Sequence, residues 1–334
     1  EALDIDGLGK KVIEQLWDLG LIKAPANIFD LDFIKLQKLA DKIICDDIKN
    51  ISFNPYKGKI DGVIGGPPCQ PYSQTRHYLI NKKKGFNDEI SGYTVPQFLR
   101  VVSEVDPKFF VFENVDGFAY KTHKDELDYF LNTSDELGYK NFYKVINTAN
   151  YGIPQTRKRF LCVGIRKDLP DFSFPTETHT NDIKLHPDLQ PWNTCKDCLS
   201  DFDNVLESEK KNIPGGKHRE LFKLIPPGDN YLFFTAKRGC KKPQFKWKSR
   251  YWTFLLKLSP DRPSWTIQAS TSENQGPFHW RNRFLRIDEI KRIQTIDDSF
   301  KLEGEFKDKW KQVGNAFPSM MAMIVANEIR KVLE

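Results

Sequence analysis

One cysteine of this sequence lies in a loop that its neighbours restrict on both sides. Residues 65–73 read Gly-Gly-Pro-Pro-Cys-Gln-Pro-Tyr-Ser, with Cys69 at the centre. The glycines let another backbone approach closely, while the prolines fix φ before the cysteine and favour extended conformations after it. The apolar run at residues 60–64 is typical of a buried parallel strand, and open α/β sheets bind ligands at the carboxyl ends of such strands. The loop predicts a reactive thiol in a binding site, with a tight turn around an incidental thiol as the alternative.

A glutamate is predicted at the end of a second strand. The apolar run Phe-Phe-Val-Phe at residues 109–112 is followed directly by Glu113. Because neighbouring parallel strands end at the same edge of a sheet, Glu113 and Cys69 are expected to face one pocket. Phe110 and Phe112 would partly remove the carboxyl group from water and raise its pKa, so that it could donate a proton or a hydrogen bond. The alternative is a glutamate that only caps a loop.

Two arginines supply positive charge further along the chain. Arg157 and Arg159 are separated by one residue, so in an extended chain their side chains point to the same side. Two guanidinium groups on one face suit a phosphate or a base oxygen. Ordinary surface charge is the alternative.

Cys195 and Cys198 form a Cys-x-x-Cys pair of the kind found in zinc sites. Such sites need a second cysteine pair or a closely spaced histidine pair, and the sequence contains neither. A metal site is therefore not predicted.

The elements that must position these residues alternate between strand and helix from residue 43 to about residue 167. Strands are predicted at residues 43–45, 60–64, 109–112, 143–146 and 160–165, and helices at 97–105 and 124–137. This alternation predicts an α/β fold with a parallel sheet and right-handed crossovers. A Pro-rich, basic and aromatic region follows to about residue 280, and two more helices are predicted, one beginning near Asp288 and one at residues 322–333.

The distribution of charge is more informative than the total. The 334 residues include 51 Lys+Arg and 45 Asp+Glu, a net charge of +6, but residues 204–262 alone hold 14 basic and five acidic residues, a net charge of +9. Aromatic residues are interleaved with these charges, as suits a phosphate backbone with bases beside it; a solvated basic face is the alternative. No apolar run approaches the ~20 residues that span a bilayer, and no leader is recognisable. A cytoplasmic protein with free thiols and no membrane partner is predicted.

Four motifs occur in an order that identifies a family resemblance. They are Pro-Pro-Cys-Gln at 67–70, Glu-Asn-Val at 113–115, Gln-x-Arg-x-Arg at 155–159 and Gly-Asn-Ala-x-Pro at 314–318. Together with a helical motif at 283–294, they make the chain from residue 43 onward resemble the DNA cytosine-C5 methyltransferases. The resemblance implies a Rossmann-like class I methyltransferase domain at 43–168 and 281–334, and a smaller, irregular target-recognition domain at 169–280.

The resemblance also implies roles for the residues singled out above. Cys69 would be the nucleophile on C6 of cytosine, Glu113 would bind N3 and the exocyclic amine, and Arg157 and Arg159 would support the flipped base or its phosphates. These roles agree with the chemistry, because C5 of cytosine is a poor nucleophile until a thiolate adds at C6. A base inside a duplex cannot expose C6, so the cytosine must leave the helix while the protein holds double-stranded DNA. S-adenosylmethionine would be the methyl donor, and a bacterial restriction-modification system the setting.

The first part of the chain departs from the family pattern. Family members open with a strand and a Phe-x-Gly-x-Gly-like loop for the methionine part of S-adenosylmethionine, and then an acidic residue for the ribose; neither is found before residue 43. Residues 1–42 instead resemble an α-helical, helix-hairpin-helix segment of bacterial NAD-dependent DNA ligases. By resemblance, the remaining cofactor-binding residues are Asp47 for the adenine, Pro68, and Asn315 near the methionine end.

This departure predicts that the chain binds S-adenosylmethionine weakly and that a missing N-terminal segment or subunit supplies the opening strands. The alternative to an active methyltransferase is a truncated or chimeric relative that binds DNA without methylating it.

Overall fold

The computed structural model describes residues 44, 46–68, 92–248 and 251–334. The helices predicted within residues 1–42, residues 43 and 45 of the strand predicted at 43–45, and Cys69 lie outside the described residues. The chain divides into two compact units. The first unit comprises Glu1–Ile146, Lys158–Pro175 and Met323–Glu334, and the second comprises Asn147–Arg157 and Thr176–Ala322. The division into catalytic and target-recognition domains at residues 168 and 281 remains a prediction.

In the described part of the chain, the strands are β1 (Gly62–Gly65), β2 (Phe109–Val115), β3 (Tyr139–Asn147), β4 (Gln155–Thr156), β5 (Lys158–Arg166), β6 (His179–Thr180), β7 (Gln190–Pro191) and β8 (Ser264–Trp265). The α-helices there are α1 (Thr94–Val105), α2 (Lys124–Glu136), α3 (Cys195–Leu199), α4 (Glu207–Lys211), α5 (Arg219–Leu224), α6 (Ile287–Ile293), α7 (Phe306–Asn315) and α8 (Ser319–Leu333). None of the helices described is long and apolar enough to cross a membrane.

The main sheet is mixed, so the prediction of a parallel sheet is wrong in part. Its strand order is β1-β2-β5-β3. Strands β1 and β2 are parallel, whereas β2 and β5 are antiparallel, with Val115 opposite Arg159. The reason is that residues 148–157, which join β3 to β5, contain no crossover helix. Two parallel strands need a connection of about a dozen residues or more, usually helical. The chain therefore turns back, and β5 inserts between β2 and β3.

The core of the first unit is aromatic and fixes β2 against the helices. Along α1, apolar residues recur every three or four positions and form one buried face, which includes Phe98. The Phe98 ring lies 5.8 Å from that of Phe110 and 5.3 Å from that of Phe112, both in edge-on geometry. The ring of Phe130 in α2 lies 4.4 Å from that of Phe112. Because these rings fill one face of β2, the strand cannot shift by a residue without exposing them.

The second unit consists of short elements and long connections. Its aromatic core includes Phe222, Tyr231 and Phe278. A fully buried ion pair joins Arg283 to Glu289 in α6, with both guanidinium Nη atoms donating to the carboxylate at 2.7 and 2.8 Å. Arg283 also donates to the backbone carbonyls of Phe202, Asn204 and Phe284, so its side chain fixes backbone outside the strands.

Candidate active site

Glu113 lies inside β2, not beyond its end as the apolar run predicts. The strand continues to Val115 because β5 pairs with it along its whole length. Alternation along the strand buries Phe110, Phe112 and Asn114 on one face and places Glu113 on the other. The expected desolvation of Glu113 by the two phenylalanines is therefore wrong, since their rings lie on the opposite face.

The carboxylate of Glu113 is held by an arginine from the neighbouring strand. Arg159 Nε lies 2.7 Å from Glu113 Oε1, and the two side chains are 13% and 24% exposed. Arg159 also donates from Nη1 to the carbonyl of Lys158 at 2.8 Å. A Cβ atom added at Gly66 would lie 3.1 Å from Glu113 Oε2, so the glycine gives this oxygen room. The pair thus remains partly open to solvent and bounded by the loop that leads to Cys69.

A buried asparagine ties that loop to the same strand. The side chain of Asn114 is fully buried, and its Nδ2 donates to the carbonyl of Pro67 at 3.3 Å. Its Oδ1 accepts the backbone N–H of Val115 at 3.0 Å. Glu-Asn-Val and Pro-Pro-Cys-Gln, which are well separated in the sequence, are therefore in contact through their described residues. The sequence analysis includes Asn114 only as part of the Glu-Asn-Val motif and does not predict its bond to the cysteine loop. Its position next to Glu113 was the one sequence feature that pointed to such a role.

Arg157 does not bind the groups that Arg159 binds. It is 2% exposed, and it donates from Nη1 to the carbonyl of Ile267 at 3.1 Å and from Nη2 to that of Gly314 at 3.2 Å. The expectation that both arginines present one face is wrong, because Arg157 falls in the break between β4 and β5. Alternation of side chains holds only within a continuous strand.

Gln155 and Gln294 complete a hydrogen-bonded centre in the second unit. Gln155 donates to Gln294 Oε1 at 2.8 Å and accepts the N–H of Ile267 at 3.0 Å, while Gln294 donates to the carbonyls of Val313 and Ala316 at 2.8 and 3.2 Å. Both glutamine side chains are fully buried. This centre joins three of the sequence motifs, and sequence reasoning missed the role of both glutamines.

A glycine is required beside this centre. A Cβ added at Gly314 would lie 2.4 Å from the carbonyl oxygen of Gln268. Trp310, one turn earlier on α7, donates its indole N–H to the same oxygen at 2.9 Å. The close approach explains the glycine of the Gly-Asn-Ala-x-Pro motif.

The residues predicted to bind the cofactor are accessible. Asp47 caps a short 3-10 helix, Ile48–Asn50, and accepts the N–H of Lys49 at 3.0 Å and the hydroxyl of Tyr93 at 3.1 Å. The backbone hydrogen bond from Lys49 is the main reason that the pKa of Asp47 lies below its usual value. Pro68 and Asn315, the last residue of α7, are exposed.

The Cys-x-x-Cys pair begins α3 and consists of two poorly accessible thiols. Cys195 is fully buried, and burial raises the pKa of its thiol well above the usual value. Burial likewise raises the pKa of Cys198 to about 12. Within the described ranges, no three His, Cys, Asp or Glu residues are grouped to hold a metal ion.

Comparison with known proteins now identifies the chain. The sequence profile of the family described as C-5 cytosine-specific DNA methylase matches residues 26–331. The chain belongs to this family. It is a DNA cytosine-5 methyltransferase, as the motifs predict.

Curated relatives agree with this family. The methyltransferase is 36% identical over 285 residues to the Type II methyltransferase M.SacI of Streptomyces achromogenes, a match that covers 81% of this chain and 72% of that protein. It is 30% identical over 303 residues to the Type II methyltransferase M.Eco47II of Escherichia coli, with 87% and 69% covered. The motifs predict that the methyltransferase region begins at residue 43, but the family match begins at residue 26. The match therefore includes part of the segment that was predicted to resemble a DNA ligase.

Solved structures support the α/β fold of the methyltransferase. The Entamoeba histolytica methyltransferase EhMeth gives a TM-score of 0.57 at 15% identity, covering 93% of this chain and 88% of that one. A DNMT2 mutant from Spodoptera frugiperda gives a TM-score of 0.58 at 12% identity, covering 98% and 97%. At such low identity the likeness concerns the fold alone.

In the basic segment of the methyltransferase, residues 204–262, some basic side chains have a carboxylate or aromatic partner and others have none among the described residues. Arg238 lies 3.2 Å from Asp229, and Lys237 Nζ lies 4.4 Å from the centre of the Trp247 ring. Lys241 and Lys242 are exposed, and their ammonium groups have no carboxylate partner among the described residues. These two lysines are therefore available to bind a phosphate backbone.

Proposed function

We propose that Cys69, Glu113 and Arg159 form the catalytic centre that methylates C5 of cytosine in double-stranded DNA. The observation that carries the proposal is the Glu113–Arg159 ion pair, which is partly open and lies beside Gly66 of the cysteine loop. The hydrogen bond from Asn114 to Pro67 supports it, because it links the loop to the strand that carries Glu113. Arg157 is proposed to act by holding the carbonyls of Ile267 and Gly314.

Each residue has a distinct role in the reaction. The Cys69 thiolate forms a bond from Sγ to C6 of the flipped cytosine, and the electron pair of the C5–C6 double bond becomes available at C5, with charge spread toward N3. Glu113 in its protonated form donates to N3 and accepts a hydrogen bond from the exocyclic amine, and so stabilises that charge. Arg159 holds the carboxyl group in place. After C5 has received the methyl group, loss of the C5 proton to a base re-forms the double bond and releases Cys69.

The residues present fit the adenine part of S-adenosylmethionine, the methyl donor of the family. Asp47 presents an ionised carboxylate with 42% of its side chain exposed, and its existing bonds to Lys49 and Tyr93 leave lone pairs for an adenine amine. Pro68 and Asn315 would provide the further contacts. When bound, S-adenosylmethionine supplies the electrophilic methyl group.

The biological setting is proposed from the relatives. Both M.SacI and M.Eco47II are Type II methyltransferases. We infer that this chain also protects DNA within a bacterial restriction-modification system. The helix-hairpin-helix segment predicted at residues 1–42, of which residues 26–42 lie within the family match, would add at most a short non-specific DNA contact.

Covalent trapping tests the catalytic assignment. Duplex DNA that contains 5-fluorocytosine blocks the final loss from C5, so with S-adenosylmethionine the protein is expected to form an adduct that survives denaturation. Cys69→Ala should form none. Cys240→Ala is the matched control, because Cys240 is a half-buried thiol of the second unit, and it should form the adduct normally. An adduct with Cys69→Ala would overturn the assignment.

A second candidate, DNA binding without methylation, is favoured by the absence of a recognisable glycine loop and ribose acid before residue 43. Each hydrogen bond that is not made costs about 0.5–1.5 kcal/mol, so three or four of them would raise the dissociation constant for S-adenosylmethionine by roughly two to three orders of magnitude. Calorimetric titration of the 334-residue chain measures this constant. A micromolar value would exclude weak cofactor binding, and incorporation of labelled methyl into DNA would exclude the second candidate.

A further inference from the structure

The tryptophans of the described chain fall into two groups. Three of them donate the indole N–H to a protein acceptor: Trp192 to Asn150 at 3.0 Å, Trp280 to Asp203 at 2.7 Å and Trp310 to Gln268 at 2.9 Å. The other three, Trp247, Trp252 and Trp265, have no acceptor among the described residues. The indole N–H of a buried tryptophan usually has a hydrogen-bond acceptor. The second group of tryptophans lacks this feature of core residues.

Trp265 is exposed although its backbone is firmly held. It is 43% exposed, whereas Ser264 before it and Ile267 after it are fully buried. Trp265 stands opposite Thr156 in the β4–β8 pair, and Thr156 lies between Gln155 and Arg157 of the Gln-x-Arg-x-Arg motif.

Five hydrogen bonds fix the backbone around Trp265. They run from Ser264 N to Pro154 O at 2.8 Å, from Thr156 Oγ1 to Ser264 O at 3.1 Å, from Ser264 Oγ to Trp265 O at 2.7 Å, from Thr266 Oγ1 to Thr156 O at 2.9 Å and from Ile267 N to Gln155 Oε1 at 3.0 Å. A large apolar ring is thus presented to solvent on a rigid support, which lowers the entropy cost of binding.

Trp252 supports the ring of Trp265 from one side. The two ring centroids are 5.4 Å apart, with planes inclined by 57°. The carbonyl of Trp252 accepts a hydrogen bond from Asn230 Nδ2 at 2.6 Å, which fixes this segment as well. We call the rings of Trp252 and Trp265 the tryptophan platform.

The charge of the sequence segment that supplies Trp252 indicates what the platform binds. Residues 204–262, which include Trp252, carry a net charge of +9. An aromatic surface in such a setting suits a nucleic acid base with its phosphates, because bases stack on aromatic rings while the cations bind the backbone.

We propose that the tryptophan platform stacks on a DNA base that loses its neighbour when the target cytosine leaves the helix. This inference rests on the proposed methylation of a flipped cytosine. Base flipping leaves adjoining bases unstacked on one side, and an aromatic ring restores part of that stacking. The platform would therefore favour the flipped state of the substrate over the intact duplex.

The test uses two short duplexes of one sequence, intact or with a single central abasic nucleotide, which unstacks its neighbours without any enzyme. Fluorescence anisotropy measures binding to each. The wild-type chain is expected to prefer the abasic duplex by about tenfold, since stacking of one base on an aromatic ring has an effect of this order. Trp265→Ala should reduce the preference to about one, and Trp265→Phe should retain most of it.

Trp247→Ala is the matched control, because Trp247 is also exposed in the second unit but packs on Lys237. It should keep the preference. The inference is overturned if the wild-type chain shows no preference, if Trp265→Ala keeps it, or if Trp265→Phe loses it as fully as the alanine variant. Methyl incorporation by the wild-type chain is measured separately, so a failure of the proposed function is seen apart from a failure of the platform.

Discussion

The Gln-x-Arg-x-Arg motif serves two regions of the molecule in different ways. In the second unit, Gln155 and Arg157 are buried and bind backbone carbonyls and another buried amide. In the first unit, Arg159 binds Glu113 at 2.7 Å, and 24% of the Glu113 side chain stays open to solvent. Arg159 Nη2 has no acceptor among the described residues. One motif therefore contributes both to a closed polar centre and to an open ion pair.

This difference separates positioning from chemistry. A buried polar group whose hydrogen bonds are already made stabilises the structure and has little capacity left for a substrate. A partly open pair with spare donors and acceptors can exchange water for a ligand. Membership of a family motif does not distinguish the two cases, whereas exposure and bonding do. Variants of the closed polar groups should therefore reduce stability, and variants of the open pair should reduce turnover.

The largest effect is expected at the buried ion pair of the second unit. Arg283→Met would leave the fully buried carboxylate of Glu289 without its partner, and three backbone carbonyls that Arg283 binds would lose their donor. Breaking such a pair costs about 3–5 kcal/mol, so the free energy of unfolding measured by urea denaturation should fall by that amount.

The control for this prediction is an arginine pair at the surface. Arg292 is 28% exposed and binds Asp201 and Asp298. Arg292→Met should cost no more than about 1 kcal/mol, because exposed pairs contribute little. Equal decreases in stability for the two variants would show that burial is not what distinguishes them.

The next effect concerns turnover at the open pair. Glu113→Gln removes the carboxyl proton that Glu113 can give to N3 of the reacting cytosine, so methyl incorporation should fall about 100- to 1,000-fold, as expected when one donor to developing negative charge is lost. The free energy of unfolding should change by less than about 1 kcal/mol, since the side chain is partly exposed.

Glu104→Gln provides the comparison within the first unit. Glu104 also pairs with an arginine, Arg100, at 2.6 Å, and it accepts the N–H of Phe53 at 2.6 Å. This variant should lose stability and keep its turnover per folded molecule. If Glu104→Gln reduced turnover as strongly as Glu113→Gln, the catalytic role of Glu113 would not be specific.

The sequence predicts local elements of this fold well because their patterns are local. The helix predicted at 124–137 is found as α2 at Lys124–Glu136, and the strand at 109–112 is found within β2. Repeated apolar spacing determines such elements without knowledge of their neighbours. The direction of β5 cannot be predicted from such local patterns. It depends on the lack of a crossover helix before β5 and on which strands β5 pairs with.

Hydrogen bonds between side chains that are far apart in the sequence could not be predicted for a similar reason. The Gln155–Gln294 bond joins residues 139 positions apart, and no local pattern encodes it. The position of Arg157 depends on the break between β4 and β5, which interrupts the alternation that the two arginines suggest. Family resemblance located the motifs, but only the three-dimensional structure shows which of their residues are already bonded.

A third buried polar group, Lys257, should make the free energy of unfolding depend on pH. Lys257 is 1% exposed and donates to the carbonyl of Ile225 at 2.5 Å, and burial lowers its pKa from 10.5 to about 8. Between these two values the unfolded chain binds more protons than the folded one, so Lys257 makes folding more favourable as pH rises from about 8 to 10.5. The contribution amounts to about 3 kcal/mol at most.

Lys257→Met should remove this part of the pH dependence. Urea denaturation at several pH values between 8 and 10.5 measures it as the difference between the variant and the wild-type chain. Lys241→Met is a suitable control, because Lys241 is exposed and should leave the curve nearly unchanged. Parallel curves for the wild-type chain and Lys257→Met would contradict a depressed pKa at Lys257.

The smallest effect is expected on the exposed basic segment. Lys241→Gln combined with Lys242→Gln removes two ammonium groups that lack carboxylate partners among the described residues. If each binds one DNA phosphate, the slope of the logarithm of the binding constant against the logarithm of salt concentration should flatten by about 0.9 for each phosphate that is no longer neutralised. Binding to all DNA sequences should weaken together, because phosphates carry no sequence information.

A second pair of lysines in the same segment tests whether pairing decides the outcome. Lys210 forms an ion pair with Glu207, and Lys223 lies 2.8 Å from Glu220. Lys210→Gln combined with Lys223→Gln makes the same change in net charge, but each ammonium group is already compensated by a glutamate one turn away. The salt slope should therefore change less than with Lys241 and Lys242. Equal salt slopes for the two double variants would mean that DNA affinity depends on the total charge of the segment and not on whether a lysine has a carboxylate partner.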